Sequence, residues 1–371
     1  MRDSLRNFKR SMQAMPYRAI ASMGHRSGKV PVQFVIEDAD WAIRWVGEGI
    51  RDGLPAYARG KLETTCTPHR LTHQIAHFGS QYMWVDWAPH ISKTNRTIAS
   101  FFHGKPEDGP VVEKHIELFL KHEPQLSRIV VSAGAVGERL KDWGVNAAKI
   151  SHIPIGTDVS LFVPPSLQQR EHARNLLGFS PEAIVIGSFQ KDGVGWDEGL
   201  QPKLIKGPDL FLDVIEILSS DYPIEVLLSG PARGYVKNGL ESRGIPYRHM
   251  YPSTREGLVN LYHALDVYLM TSREEGGPMA LIEGMSAGIP VVSTRAGMAV
   301  DLIQDGVNGV LTGLEDVDGL ADGVRRVLTL GEEKRTSIAV KARAGVQACD
   351  WKVVARRHWE EVYKPLLDES A

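Results

Sequence analysis

From residue 184 onward the chain alternates short runs of Val, Ile and Leu with longer stretches whose apolar residues recur every three or four positions. The runs at 184–189, 225–228, 267–270 and 290–293 are too continuously apolar to leave one face wet, so they predict strands buried on both sides. Between and after them the periodicity predicts helices over 208–219, about 235–243, 255–264, 279–287 and 314–330. Strands separated by helices imply a parallel sheet covered on both faces. The first half shows the same layering less regularly: a strand over 32–36, a helix from Trp41 to about Gly53 capped by Asp40, strands at 97–102 and 129–132, and a helix over 133–142. The Pro164-Pro165 pair followed by Gln168, Gln169, Arg170 and Glu171 marks the best linker. Over 351–367, Val354, His358, Trp359 and Tyr363 fall on one helical side, predicting a last helix packed across the junction. The expected organisation is a basic arm (1–30), a first Rossmann-like domain (31–165 plus about 351–371), a linker (166–180) and a second Rossmann-like domain (181–350). The fold class is α/β, with two doubly wound domains facing across a cleft.

A length of 371 residues, 43% of them hydrophobic and 24% charged, suits two globular domains and excludes a disordered or fibrous chain. Lys plus Arg total 43 against 45 Asp plus Glu, which argues against a nucleic-acid partner. Cys66 and Cys349, far apart, make neither a disulfide framework nor a zinc pattern and suit a reducing cytoplasm. No apolar run approaches the roughly 20 residues of a membrane span, so the expected location is cytoplasmic. The first 30 residues stand apart, with Arg2, Arg6, Lys9, Arg10, Arg18, Arg26 and Lys29 against the single acid Asp3. Leu5, Phe8, Met12 and Met15 recur at helical spacing there, which makes residues 1–29 a candidate for an anionic membrane surface. The alternative is a solvated or partly disordered arm.

Residues 271–294 carry the candidate chemistry: a strand end leads through Glu274, Glu275, Gly276 and Gly277 into a helix opened by Pro278. Proline suits a first helical position, and two glycines let a ligand approach the backbone. The unpaired amides of that first turn, at Met279 and Ala280, form an anion site favoured by the helix dipole, so a phosphate belongs there. Glu275 before the helix and Glu283 within it, with seven residues between them, suit hydrogen bonds from hydroxyls of a sugar and a ribose. An ordinary βα turn with solvated acids is the alternative.

This stretch resembles the signature of glycosyltransferase family 4, whose members are retaining enzymes of the GT-B fold. The resemblance runs through 284–288 and 290–294 to 303–309. It also includes 153–158 with Phe162 and Pro164, the closing segment 351–363, and residues 128–365 in general; the first 125 residues match only loosely. It implies that Glu275 contacts the donor sugar, that Glu283 binds the nucleotide ribose, and that Lys206 contacts the donor diphosphate. The family's second basic residue follows the preceding strand, where Lys191 is the candidate. The family normally has arginine there, and residues 192–203 lengthen the gap. His103, at a first-domain strand end, occupies the place of a family histidine near donor sugar and acceptor. The implied catalytic set is Glu275, Lys206 and His103, and the donor-binding set is Lys191, Gly276, Gly277, Pro278, Met279, Ala280 and Glu283.

Two lysines and a helix N-terminus can stabilise a leaving diphosphate without metal. Asp38-Ala39-Asp40 spells a short metal motif, but it reads as a cap and a loop acid. His69, His73 and His77 recur every four residues, which would stack them on one helical face, yet no Cys or carboxylate completes a site. No metal and no cofactor are expected. The implied activity is transfer of a sugar from a nucleotide-sugar donor to a glycan, lipid-linked or other acceptor in bacterial cell-surface polysaccharide or glycoconjugate synthesis. The competing readings are a GT-B sugar-nucleotide epimerase and a non-catalytic sugar-nucleotide-binding protein. An NAD oxidoreductase is disfavoured, because Gly193, Gly195 and Gly199 have the wrong spacing and precede no helix.

Overall fold

The computed structural model describes residues 2–38 and 42–369. Two compact units emerge: residues 1–156 with 351–371, and residues 157–350. Each contains one six-stranded, wholly parallel sheet.

In the first unit the strands are β1 (Val32–Val35), β2 (Leu62–Thr65), β3 (Ile75–Phe78), β4 (Arg96–Phe101), β5 (Leu126–Val131) and β6 (Ile150–His152), in the order β2-β1-β3-β4-β5-β6. Strands β1 and β3 are buried along their whole length. The chain returns to this unit at Trp351, whose indole occupies space that a Cβ on Gly49 or Gly156 would fill. The expected single last helix is interrupted: α-helix Trp351–Arg357 passes into a π-helical segment, His358–Tyr363, before Lys364–Asp368. The widened turn puts the Tyr363 hydroxyl 2.7 Å from His77 Nδ1. His77 Nε2 lies 3.0 Å from Ser100 Oγ.

An N-terminal helix, Arg2–Ser22, is docked along one side. Ala14 and Ala21 are buried, Arg10 pairs with Asp86 at 2.8 Å and lies over Trp87, and Arg18 donates to the Pro89 carbonyl. Phe8, Met12 and Met15 are 66%, 51% and 58% exposed, so the helix turns an apolar stripe outward. Asp40, the expected cap of helix Ala42–Asp52, lies outside the described residues.

The second unit contains β7 (Ile184–Phe189), β8 (Ile224–Ser229), β9 (Tyr247–His249), β10 (Val267–Met270), β11 (Val291–Thr294) and β12 (Val310–Thr312), ordered β12-β11-β10-β7-β8-β9. The core between sheet and helices contains Ile186, Phe211, Val214, Leu228, Leu269, Val292 and Val324. The strand order reverses between β7 and β10, and ligands of open α/β sheets bind outside the strand ends at such a switch point. The structure corrects one expectation here. Residues 166–180 are not a linker, since Leu167–Leu177 is an α-helix with a Ser166/Gln169 capping box. Arg170 and Arg174 tie that helix to Asp266 at 2.6 and 3.0 Å. Residues 157–165 also belong to the second unit, where Arg343 donates to the Phe162 and Val159 carbonyls.

Candidate active site

The loops leaving β7 and β10 at the switch point are joined by backbone. The amides of Arg273 and Glu274 donate to the Ile205 carbonyl at 2.9 and 3.1 Å. Thr271 Oγ1 donates to the Gly207 carbonyl at 2.7 Å. Gly207 has φ 62°, and a Cβ there would overlap the Thr271 carbonyl oxygen. Only glycine meets both conditions at low cost. Pro208 then opens helix Pro208–Ser219, and Arg273 grips Asp209 at 2.7 and 2.8 Å. These contacts fix the 3-10 turn Leu204–Lys206. The result is an ion pair of 2.5 Å between Lys206 Nζ and Glu275 Oε1, and Ser272 Oγ donates to the same oxygen at 3.0 Å. Among the described residues Glu275 is the only hydrogen-bond partner of Lys206 Nζ, which leaves two N–H donors for a ligand.

Helix Met279–Ser286 starts just beyond, with Gly276 held by a bond from the Met298 amide at 3.2 Å. Pro278 is the N-cap rather than the first helical residue, with extended ψ of 100°. The amides of Met279 and Ala280 remain in the first turn, so the anion-binding logic is unaffected. Glu283 lies on the buried side of this helix. Its Oε2 accepts from Tyr262 at 2.9 Å and its Oε1 from Arg255 at 3.1 Å, while Arg255 also reaches Thr157 Oγ1 at 3.2 Å. Burial pushes the Glu283 carboxyl above its ordinary range despite Arg255 and Tyr262.

The structure thus brings Lys206, Glu275 and the glycine-opened helix together and places Glu283 on the same helix with two partners. Lys191 is the second residue of the loop after β7, and its Nζ lies 3.5 Å from the Trp196 ring centre. His103 belongs to the first unit, where the Gln81 side chain holds its loop by donating to the His103 carbonyl at 2.8 Å and accepting from the Phe102 amide at 3.3 Å. The three histidines are not on one helix: His69 is in a 3-10 turn, His73 in a loop and His77 in β3. Their spacing mimics a helix across a turn and a strand. No cluster of three or more His, Cys, Asp or Glu suited to a metal occurs among the described residues.

Two features escaped the sequence reading. Lys203, half-buried, is pushed down to about 8, first by burial and then by the charges of Lys206 and Lys191. Asp192 and Arg233 form a buried ion pair with Arg233 Nε 3.0 Å from Asp192 Oδ1. For Lys203 the available signal was its place three residues before Lys206.

Comparison with known proteins bears on the family and the fold. Residues 200–344 match the family model described as Glycosyl transferases group 1. The D-inositol 3-phosphate glycosyltransferase of Corynebacterium urealyticum is 26% identical over 333 residues, which cover 81% of this chain and 72% of that protein. The Mycobacterium marinum protein of the same name is 24% identical over 341 residues, 85% of this chain and 66% of that one. The chain therefore spans about two thirds of the length of these relatives. Among solved structures, Anabaena HepE in complex with UDP and glucose aligns with a TM-score of 0.73 at 18% identity, covering 91% of this chain and 100% of that one. Sucrose-phosphate synthase from Thermosynechococcus elongatus aligns with a TM-score of 0.70 at 17% identity, covering 92% and 100%. These likenesses establish the GT-B fold.

Proposed function

We propose that this chain, a glycosyltransferase with the group 1 domain over residues 200–344, moves a hexose from a nucleoside diphosphate donor to a hydroxyl acceptor with retained anomeric configuration and without metal. The observation that carries the reading is the Lys206–Glu275 ion pair at the mouth of the glycine-opened helix. As the bond between the sugar C1 and the phosphate oxygen breaks, negative charge grows on the diphosphate. Lys206 and the amides of Met279 and Ala280 are donors fixed in advance for that charge. Glu275 is the acceptor for sugar hydroxyls beside them, Glu283 the acceptor for the ribose, and Lys191 a further cation. His103 is assigned to the donor sugar and acceptor side. The new bond forms between C1 and an acceptor oxygen on the face that the diphosphate leaves, and the acceptor hydroxyl's proton passes to the departing phosphate oxygen.

HepE in complex with UDP-glucose makes UDP-hexoses the first donors to try, and the relatives named for D-inositol 3-phosphate make that compound a first acceptor beside glycans and lipid-linked sugars. A role in bacterial cell-surface polysaccharide or glycoconjugate synthesis fits such chemistry. Proton NMR of the first product is the test of stereochemistry: an inverted anomeric centre refutes it, and a rate abolished by chelator refutes metal independence.

The acceptor side includes a membrane surface. The exposed stripe of Phe8, Met12 and Met15, flanked by Lys9, supports contact with anionic lipid at the inner face of the membrane. No described helix is long and apolar enough to cross a membrane. Phe8→Ser with Met12→Ser and Met15→Ser should abolish sedimentation with anionic vesicles. Unchanged sedimentation rejects the contact.

A further inference from the structure

Residues 190–203 leave β7, fold on themselves and return at the turn carrying Lys206. Gly193 and Pro202 form an antiparallel bridge, the Val194 amide donates to the Gln201 carbonyl at 2.9 Å, and the Lys203 amide donates to the Asp192 carbonyl at 2.7 Å. The hairpin lies against the start of helix Gly234–Ser242, where the amides of Gly234 and Tyr235 donate to the carbonyls of Glu198 and Gly199 at 2.7 and 2.9 Å. Gly193 and Gly199 approach the Ala232 carbonyl so closely that a Cβ on either would overlap it. Below the hairpin is the Asp192–Arg233 pair, with both side chains at most 1% exposed. The other Arg233 donors fasten the ends of β7 and β8: Nη1 to the Ser188 and Ser229 carbonyls at 2.5 and 2.8 Å, and Nη2 to Ser188 Oγ at 3.1 Å. Loss of either charge would strand the other in the interior, so the pair fixes the register of the hairpin.

The consequence appears at the base of the hairpin. Lys203 is bonded through its backbone to Asp192, next to Lys191, and the Lys206 amide donates to the Lys203 carbonyl at 2.8 Å. The backbone of Lys203 is thus joined directly to the turn whose Lys206 ammonium Glu275 holds. The charges acting on Lys203 are Lys206 and Lys191, which disfavour its ammonium, and Glu275, which favours it; with burial they push it down to about 8.

We propose that Lys203 is a third cation of the donor diphosphate site, delivered to Lys206 and Glu275 by the pinned hairpin 190–203. This rests on the reading of that site as one for a nucleoside diphosphate. A bound polyanion offsets the repulsion among the lysines and raises the affinity of Lys203 for its proton. Binding near pH 8 therefore draws up to about half a proton per site from the medium. Above pH 8 affinity falls toward tenfold per pH unit while Lys203 in the complex stays charged.

The test is calorimetry of the full chain with UDP, GDP and ADP in turn at pH 8, in two buffers of different ionisation enthalpy, with melting temperatures confirming that each variant is folded. Wild type should take up protons. Lys203→Arg, always charged, should bind within about threefold of wild type and take up none, a result that a purely structural role would not produce. Lys203→Met should bind about tenfold more weakly, also without uptake. Wild-type affinity in Lys203→Met, or equal uptake in wild type and Lys203→Arg, overturns the role of Lys203 while leaving the diphosphate site standing. Failure of wild type to bind all three nucleotides overturns both.

Discussion

Glu283 is tied to Tyr262 and Arg255 without any ligand, so two substitutions separate what it does for the fold from what it does for a nucleotide. Glu283→Ala takes the carboxylate acceptor from the fully buried Tyr262 hydroxyl and leaves it the longer bond to the Ala280 carbonyl at 3.2 Å, which costs about 0.5–1.5 kcal/mol. The void adds about 1 kcal/mol. Arg255, a third exposed, turns to water, so loss of its ion pair adds only about 0–1 kcal/mol. The expected loss of stability is about 1.5–3.5 kcal/mol. Glu283→Gln keeps the volume and an acceptor for Tyr262 and gives up the charge. Burial raises the folded pKa of Glu283 above 4.5, so the fold prefers the protonated group. Its contribution to stability is present below the ordinary value and is lost as pH rises through the folded value. At pH 7 wild type has lost that contribution, whereas a glutamine carries no such charge. Glu283→Gln should therefore lie within about 1 kcal/mol of wild type at pH 7, or above it, and its relative standing should fall as pH drops toward 4.5. Urea unfolding at several pH values measures this. If Gln is as damaging as Ala at pH 7 and improves relative to wild type at lower pH, the attraction of Arg255 outweighs burial and the reasoning fails. Both variants should bind UDP more weakly; unchanged UDP affinity in Glu283→Gln would reduce Glu283 to a structural member of the second unit.

Lys206→Ala should lower turnover on the order of 10²-fold and also lower the melting temperature, because the nearly buried Glu275 carboxylate loses its cation, and a native rate would show that the leaving diphosphate is held elsewhere. Gly207→Ala combines a φ of 62° with overlap on the Thr271 carbonyl, so it should lower the melting temperature and weaken UDP binding together; native values for both would refute the role of this turn. His358, fully buried and pushed down to about 4, should cost the fold about 3 kcal/mol as pH falls from 6.5 to 4, because the unfolded chain takes the proton first. His358→Gln should flatten that part of the urea-midpoint profile, and an unchanged slope would refute it.

The legible parts of the fold were those whose burial is continuous in sequence. Strands Ile184–Phe189 and Val267–Met270 and helix Pro208–Ser219 lie where the apolar runs predict them, because interior parallel strands have no wet face to interrupt the pattern. Strands Tyr247–His249 and Leu62–Thr65 lie at sheet edges, where polar residues meet water and the signal is lost. Strand Ile75–Phe78 is interior but contains His77, whose polarity is satisfied by Tyr363 and Ser100, 286 and 23 residues away. A partner so distant cannot be read locally. Residues 166–180 were different, because Ser166 and Gln169 spell a capping box that the adjacent prolines obscured.

The candidate site divides along the same line. The Lys206 turn and the glycine-opened helix are local devices, each a few residues long, and their chemistry can be read from residue type. The hairpin 190–203 is held by what lies against it: Arg233 beneath Asp192, and the Ala232 carbonyl against Gly193 and Gly199. Those two glycines invite comparison with a dinucleotide fingerprint, but the group that approaches them is a carbonyl of this chain. A glycine pattern records that something must come close without recording what it is. Here the close approach clamps the hairpin, and the clamp brings Lys191 and Lys203 to the turn of Lys206. The lengthened spacing that obscured the position of Lys191 in the sequence is thus the element whose backbone joins Lys203 to the turn of Lys206 and exposes it to the charges of Lys206 and Glu275.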